Sequence, residues 1–334
     1  MPKHPTRAAP FSRPFALAAA CGALAATLLA APALHAQEFP TKPIKLIVPY
    51  TPGGVTDILG RTVANGLTKV LGQQAVVENR PGAGGAIGTE AVVRSPADGY
   101  TLVITSPGIP TYQIFNKMTW DPVKDLNHIS ILVDGQLVMW TQVQQPYNTF
   151  NEMIAYAKAN PGKLNFSAPG LQSNITMFIE GMKQKFGVDV VIAPFKGTAE
   201  IRTAMASSSI QVATNDIGTA TQEAAAGRGK PLAVTGPKRI AAFPNLPTFT
   251  ELGHGDFIFS FWLGLAAPAA TPAPVVAKIS NAVMATMQTA EARDIMAKSG
   301  LDIVATTPEG ATKRILYEAA YFANTAAKAG IKPQ

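Results

Sequence analysis

One cysteine occurs in 334 residues, Cys21, and it falls in an apolar N-terminal stretch. Beyond residue 36 there is no thiol, which excludes disulfides, Cys–His nucleophiles and thiolate metal sites from the rest of the chain. Histidine is scarce too: His4 and His35 share the N-terminal stretch, leaving His128 and His254 beside turn-forming residues. A single imidazole in such a place reads as a solvated surface group rather than a general base. No G-x-S-x-G elbow is present; the nearest serine at a strand–turn–helix junction, Ser173, lies in "GLQSN". His-Glu-x-x-His pairs and acidic clusters with metal spacing are missing, so no catalytic residue, metal or cofactor is assigned. Nor is there a basic stripe interleaved with aromatics, and nucleic acid is not an expected partner.

What is present begins with Lys3, Arg7 and Arg13, an apolar run over residues 15–31, and "APALHA" ahead of Gln37. These are the three parts of a secretory signal, expected over residues 1–36 with cleavage near Ala36. The run is nearer 17 residues than the ~20 of a membrane span, and rich in alanine. "LAAAC" hints at lipid attachment, but Leu17 stands one place too far upstream of Cys21. Losing the leader lowers Lys+Arg from 28 to 25 against 21 Asp+Glu, and the net charge from +7 to +4. A mildly positive exported protein suits an anionic small ligand.

The length suggests about two domains at roughly 150 residues each. Hydrophobic residues are 47% and charged ones 15%, a core-forming composition. "IKLIVPY" reads as a buried strand and "QQAVVEN" and "DGYTLVITS" as a second and third strand, separated by a helix over residues 57–71 and another through Thr89 to Arg94. Leu59, Val63, Leu67 and Val70 share one face of the first helix. "ISILVDGQLVMWTQV" is long for one strand and could cross between two lobes. Thr149 and Glu152 form a capping box for a helix that stops at Asn160-Pro161-Gly162. "KLNFSAPG", a helix over residues 173–186, "VDVVIAPFKG", "IQVATND" and "KPLAVTG" follow. Helices close the chain, one with Val276, Ile279, Val283 and Met287 on a face, the last opened by Thr307 and Pro308. Strands alternating with helices imply an α/β fold with a mostly parallel sheet.

Two Gly-rich stretches invite a nucleotide and fail. "TPGGVTD" lacks the lysine of a phosphate loop and puts Asp57 where a phosphate would be repelled. "PGAGGAIG" has Ile87 at the sixth position of the dinucleotide pattern, and no acid about 20 residues on. What remains is a device used three times: strand–helix junctions at residues 51–57, 79–88 and 167–174 end in Gly-rich or Pro-Gly turns. Each offers free backbone N–H groups at the positive end of a helix dipole. Thr51, Thr56, Ser106, Ser173, Asn174 and Asn215 supply polar side chains nearby. Such mouths suit a carboxylate, which needs donors but no proton transfer.

"FPTKPIKLIVPYTPGGVTDILGR", "VVENRPGAGGAIGTEAV", "SPADGYTL", "NPGKLNFSA", "APFKGTAE", "LAVTGPKR", "FPNLPTFTELG" and "FWLGLAAPAATP" occur in that order. Together they resemble the Bug family, the substrate-binding proteins of tripartite tricarboxylate transporters, over residues 39–331. The resemblance implies a two-lobed α/β periplasmic binding protein (type II-like), each lobe a mostly parallel sheet flanked by helices, with the ligand in the cleft between lobes. Lobe 1 is expected over residues 37–136 plus 257–334, lobe 2 over 137–256. The implied function is capture of a small carboxylate, a di- or tricarboxylate or an aromatic dicarboxylate, and delivery to the membrane subunits of the transporter. The chain would act as a monomer in the periplasm. A sensor of the same family that signals to a membrane kinase, or more distantly an exported α/β enzyme, stays open.

Carried over, the family's carboxylate grip falls on Tyr50, Thr51, Gly53, Gly54, Thr56 and Asp57, and on Asn79, Gly84 and Gly85, with Ser106 beside them. Asp57 is expected to order backbone N–H groups rather than touch the ligand. In the second lobe the pattern departs: "SAPGLQSNITMF" has Thr176 where the family often has histidine, and "SSIQVATND" has Gln211 in place of a strand aspartate while keeping Asp216. Ser167, Ser173, Asn174, Thr176, Asn215 and Asp216 are therefore the expected specificity residues. Phe195 and Trp262 are candidates for packing an aromatic ligand, with a core role the stronger expectation.

Overall fold

The computed structural model describes residues 39–195 and 198–333. The leader expected over 1–36 lies outside the described residues. By contact the chain divides into two units, Met1–Thr41 and Lys42–Gln334, and the described strands and helices lie in the second.

Apolar, β-branched runs bounded by Pro and Gly make the first sheet. Strand β1 (Ile44–Val48) pairs in parallel with β2 (Ala75–Asn79) and β3 (Thr101–Thr105). Helix α1 (Val55–Leu71) and α2 (Ala86–Val93) make the two crossovers. Leu59, Val63 and Leu67 of α1 are fully buried, and Gly72 in the left-handed region ends the helix. Val70 departs from expectation: it is 50% exposed, in a groove shared with Ile58, Lys69 and Glu291 rather than against the sheet.

A short helix α3 (Tyr112–Phe115) leads to strand β4 (Leu126–Gln142), 17 residues unbroken. Its first part pairs antiparallel with β9 (Ser260–Pro268) and β10 (Asp302–Ile303). From Leu137 it pairs instead with β7 (Val212–Asp216) and β8 (Gly229–Val234), again antiparallel. The latter two carry, with β5 (Asn165–Ala168) and β6 (Val191–Pro194), the second sheet, in which β5 runs parallel to both β6 and β7. Register shifts at His128/Ser130, Ile131/Val133 and Met139/Trp140 let β4 twist while it is paired on both edges. The whole order is β2-β1-β3-β9-β4-β7-β5-β6, with β8 and β10 beside β4. Parallel pairing thus holds within β2-β1-β3 and β7-β5-β6. The sheet as a whole is mixed, because β4 leaves the first group and β9 returns to it, so the two run opposite ways.

Helices α4 (Phe150–Ala159), α5 (Asn174–Phe186), α6 (Thr198–Ala206) and α7 (Ile217–Ala225) cover the second sheet. Thr149 caps α4 as expected, accepting from the Glu152 N–H at 3.2 Å. The return bond lands one residue early, with Glu152 accepting from the Asn148 N–H at 2.7 Å. Helices α8 (Ala273–Met287), α9 (Ala290–Lys298) and α10 (Pro308–Ala329) finish the chain. Val276, Ile279, Val283 and Met287 of α8 are all buried. Helix α10 serves two cores: Ala311 and Ile315 pack with Val103 and Trp262, while Phe322 and Ala326 pack with Phe178 and Phe249.

Neither remaining histidine is the solvated group expected. His128 is 3% exposed on β4, its Nε2 3.1 Å from the Val123 carbonyl, and burial lowers its pKa. His254 is half-buried against the rings of Phe150 and Phe186. Both lie in strand or core surroundings that turn residues nearby in sequence do not reveal.

Candidate functional site

The first junction leaves α1 without a side-chain cap. Gly54 is its N-cap, Gly53 has φ +86°, and Thr51, Gly53 and Gly54 are exposed. Thr56 and Asp57 turn inward and are buried. The Asp57 carboxylate accepts from the Gly53 N–H at 3.0 Å, the Arg61 Nε at 2.9 Å and the Asn79 Nδ2 at 2.9 Å. Asn79 also donates to the Tyr50 carbonyl at 3.1 Å. Burial alone would raise the pKa of Asp57, but the bonds from Arg61, Gly53 and Asn79 outweigh it and hold the carboxyl below its ordinary value. Asp57 and Asn79 therefore lock the first turn to the end of β2.

At the second junction four successive residues, Gly82, Ala83, Gly84 and Gly85, have positive φ. The Gly84 carbonyl accepts from the hydroxyls of Tyr50 at 3.1 Å and Tyr112 at 3.2 Å, and Tyr50 Oη lies 2.6 Å from Ser106 Oγ. Burial raises the pKa of Tyr50 and, more strongly, of Tyr112, so both remain neutral donors. A Cβ at Gly85 would lie 2.7 Å from the Tyr112 hydroxyl, on a residue with φ +104°. Gly85→Ala is accordingly expected to lower stability by about 2 kcal/mol, from left-handed strain and the clash together. A denaturant melt measures it, and an unchanged midpoint would contradict the described packing.

In the second sheet, Ser173 caps α5. Its Oγ accepts from the Thr176 N–H at 3.2 Å, and the Ser173 and Thr176 hydroxyls donate to the Gly170 carbonyl at 3.0 and 3.1 Å. Asn215 accepts from the buried Trp140 indole at 3.0 Å. Asp216 caps α7, accepting from the Thr219 N–H and hydroxyl, each at 2.8 Å. Ser167 differs: it is 2% exposed and its Oγ has no hydrogen-bond partner.

A cavity of about 730 Å³ gathers part of this set. Ser167, Asn174, Asn215 and Asp216 line it, and Val55 brings it to the mouth of α1. Phe261, Leu301 and Ile217 give it apolar walls, and Gln136, which no motif singled out, lies on its β4 side. The other expected residues are placed otherwise. Tyr50, Gly84, Gly85 and Ser106 form the tyrosine cluster, Thr56, Asp57 and Asn79 sit under the first turn, and Ser173 and Thr176 are spent on a cap. Trp262 is fully buried with its indole donating to Glu318 at 2.9–3.0 Å, a core role. Phe195 packs beside the cluster of Val138 and Trp140.

A smaller cavity of about 330 Å³ is lined by Asp134, Ser260, Arg314 and Glu318. Cross-strand partners share a face, and successive residues alternate. The pair Gly135–Phe261 faces the larger cavity, while Asp134–Trp262 and Gln136–Ser260 face α10 and the smaller one. The two cavities thus lie on opposite faces of the β4–β9 ladder; Gln136 borders both, with its carboxamide beside Gly236. Of the two, only the larger meets the helix mouths.

The family described as "Tripartite tricarboxylate transporter family receptor" matches residues 59–321. The chain belongs to that receptor family. Its relatives include "UPF0065 protein in gbd 5'region" of Cupriavidus necator, 36% identical over 288 residues that make up 86% of each chain. BugT of Bordetella pertussis is 30% identical over 95% of this chain and 98% of its own. Among solved structures, an R. palustris protein with adipate is 29% identical, with TM-score 0.74, covering 89% of this receptor and 100% of that chain. MatC from Rhodopseudomonas palustris with bound malate is 25% identical, with TM-score 0.71, covering 86% and 100%. Receptor family and fold are those of substrate-binding proteins, and among the described residues of this receptor no helix is long and apolar enough to cross a membrane.

Proposed function

We propose that this chain is a non-catalytic periplasmic receptor that captures a small dicarboxylate, aliphatic or aromatic, and hands it to the membrane subunits of a tripartite tricarboxylate-type transporter. The observation that carries it is the larger cavity, which joins the uncapped N-terminus of α1 to the buried, unpartnered hydroxyl of Ser167 across apolar walls. Helix mouths and neutral donors favour an anion, and Lys298 adds a cationic side chain to the lining. Solved relatives hold adipate and malate. The switch of β4 from β9 to β7 and β8 after Gln136 fits a lobe boundary there, with residues 37–136 and 257–334 forming one lobe and 137–256 the other. In this scheme the cleft closes on its ligand as a monomer, the first junctions gripping one carboxylate and Ser167, Asn174, Asn215 and Asp216 meeting the far end.

The test is a thermal-shift screen of the mature protein against mono-, di-, tri- and aromatic carboxylates, amines and neutral sugars. A ligand at 100 times its Kd stabilises the native state by about 2.7 kcal/mol, an easily resolved rise in Tm. Shifts are expected with carboxylates alone. Shifts only with amines or sugars, or turnover of any ligand, would refute the proposal.

A further inference from the structure

We propose that Lys298 is a specificity-determining residue of the larger cavity, the cation that selects an ionised acid at the α1 mouth, and that Asp294 competes with the ligand for it. This rests on the carboxylate-receptor function proposed above. Among the described residues that line the cavity, two are charged, Lys298 and Asp216. The Asp216 carboxylate is already engaged by the N–H and hydroxyl of Thr219 at the start of α7. Lys298 pairs with Asp294 one turn earlier on α9, its Nζ 2.6 Å from Oδ2. The two side chains are 75% and 60% exposed, so water solvates both and the pair contributes little to stability. The flexible four-carbon stem of a lysine lets the ammonium turn from that carboxylate to another.

The packing of α9 beside α1 places this lysine. Lys69, near the end of α1, pairs with Glu291 at the start of α9 at 3.0 Å. Ile58 and Arg61, near the start of α1, share a groove with Ile295 in the later part of α9. The contacts therefore advance in opposite senses along the two helices, and the last turn of α9 comes alongside the first turn of α1. The cavity lining agrees, joining Val55, the first residue of α1, to Ala297, Lys298 and Ser299. Helix α1 presents its positive end there without a side-chain cap, and α9 presents its negative end. Part of the field at the α1 mouth is thus cancelled by its antiparallel neighbour, and the ammonium of Lys298 restores the preference for an anion. An ammonium beside free backbone N–H groups suits a carboxylate and disfavours an amine or an uncharged analogue of the same shape.

Titration calorimetry of the mature protein with adipate, malate, citrate, terephthalate and benzoate tests this, the tightest binder being carried through the variants. Lys298→Met keeps the stem and is expected to weaken that acid about tenfold, the order of one hydrogen bond to a charged group. It should also flatten the dependence on NaCl, because an exposed ammonium is strongly screened. Lys298→Arg should keep most of the affinity. Asp294→Asn frees the lysine and should raise affinity about threefold, the scale of an exposed ion pair, and that gain should vanish in the Lys298→Met background. Lys69→Met removes the same charge from α1 away from the cavity and should leave binding unchanged. Thermal melts confirm that each variant folds. A Lys298→Met protein with wild-type affinity and salt dependence overturns the assignment while leaving the receptor function standing. So does an equal loss in Lys69→Met, which would make the effect one of net charge, or a gain from Asp294→Asn that survives without the lysine. A folded wild type that binds none of these acids overturns both.

Discussion

Arg314→Met is expected to destabilise the protein by about 3 kcal/mol, through the loss of one guanidinium that serves three elements. From α10 it pairs with Asp134 on β4, donates to Ser260 on β9 at 2.8 Å, and holds Glu318 one turn on at 3.0 Å. Met keeps the aliphatic stem and removes the fork, so two carboxylates lose their cation in a setting where side chains are under a third exposed. In a large domain each kcal/mol moves Tm by about 2–4 °C, so a drop of about 6–12 °C is expected. The sign of its pH dependence follows from Glu318. Burial raises the Glu318 pKa above its ordinary value, while Arg314 and Trp262 pull it down. Without Arg314 it rises further, and a carboxyl with a raised folded pKa destabilises the fold above that pKa and ceases to as it is protonated. The Tm deficit should therefore be larger at pH 7 than at pH 5. A deficit that grows on acidification would show that Glu318 is not the group left exposed to the loss. Lysine should rescue only in part, since it restores charge but not the three-way geometry.

The ease with which elements could be read from sequence follows from the range of the forces that make them. Turns at Pro52-Gly53-Gly54, Asn160-Pro161-Gly162 and Pro169-Gly170 are local chemistry, and the strands and helices they bound occur where their patterns place them. The caps at Thr149, Ser173 and Thr307 are equally local, each a side chain answering an N–H three residues on. The assignment of those hydroxyls was harder. Ser173 and Thr176 are the right types for a ligand, yet their bonds go to each other and to Gly170, because a free helix N-terminus is satisfied first by its nearest oxygen. Long-range placements left no trace in the pattern. Arg314 meets Asp134 across 180 residues, and a lone histidine at 128 gave no sign of lying inside a twisted strand. Gln136 borders the cavity where Asp134, Gly135 and Gln136 interrupt the apolar run "ILVDGQLVMW", and that interruption is the one signal the sequence carries for it.

Asp57→Asn is the change expected to strike both stability and binding, although the aspartate is buried beneath the exposed turn. It is 3% exposed and accepts three bonds, from Gly53, Arg61 and Asn79. An asparagine oxygen can replace one side of the carboxylate; its NH2 then faces a donor, either the Asn79 amide or the Gly53 N–H and Arg61 guanidinium. With charge-assisted bonds contributing about 1.5–3 kcal/mol each and partial compensation by water at Arg61, a loss of about 3 kcal/mol is expected. The folded pKa of Asp57 is depressed, so its contribution is complete above the unfolded value of about 3.9 and fades as pH falls through the lower folded value. Wild type and variant should thus differ fully at pH 6 and converge below pH 4. Released from Asp57, the Gly53-Gly54 turn no longer holds its N–H groups in one arrangement, and carboxylate affinity should fall at least tenfold. Wild-type affinity in the variant at 10 °C, well below its melting range, would mean that the α1 mouth does not grip the ligand. Affinity lost in proportion for mono- and diacids alike is the outcome that places Asp57 behind the shared carboxylate end, leaving discrimination between acids to the opposite side of the cavity.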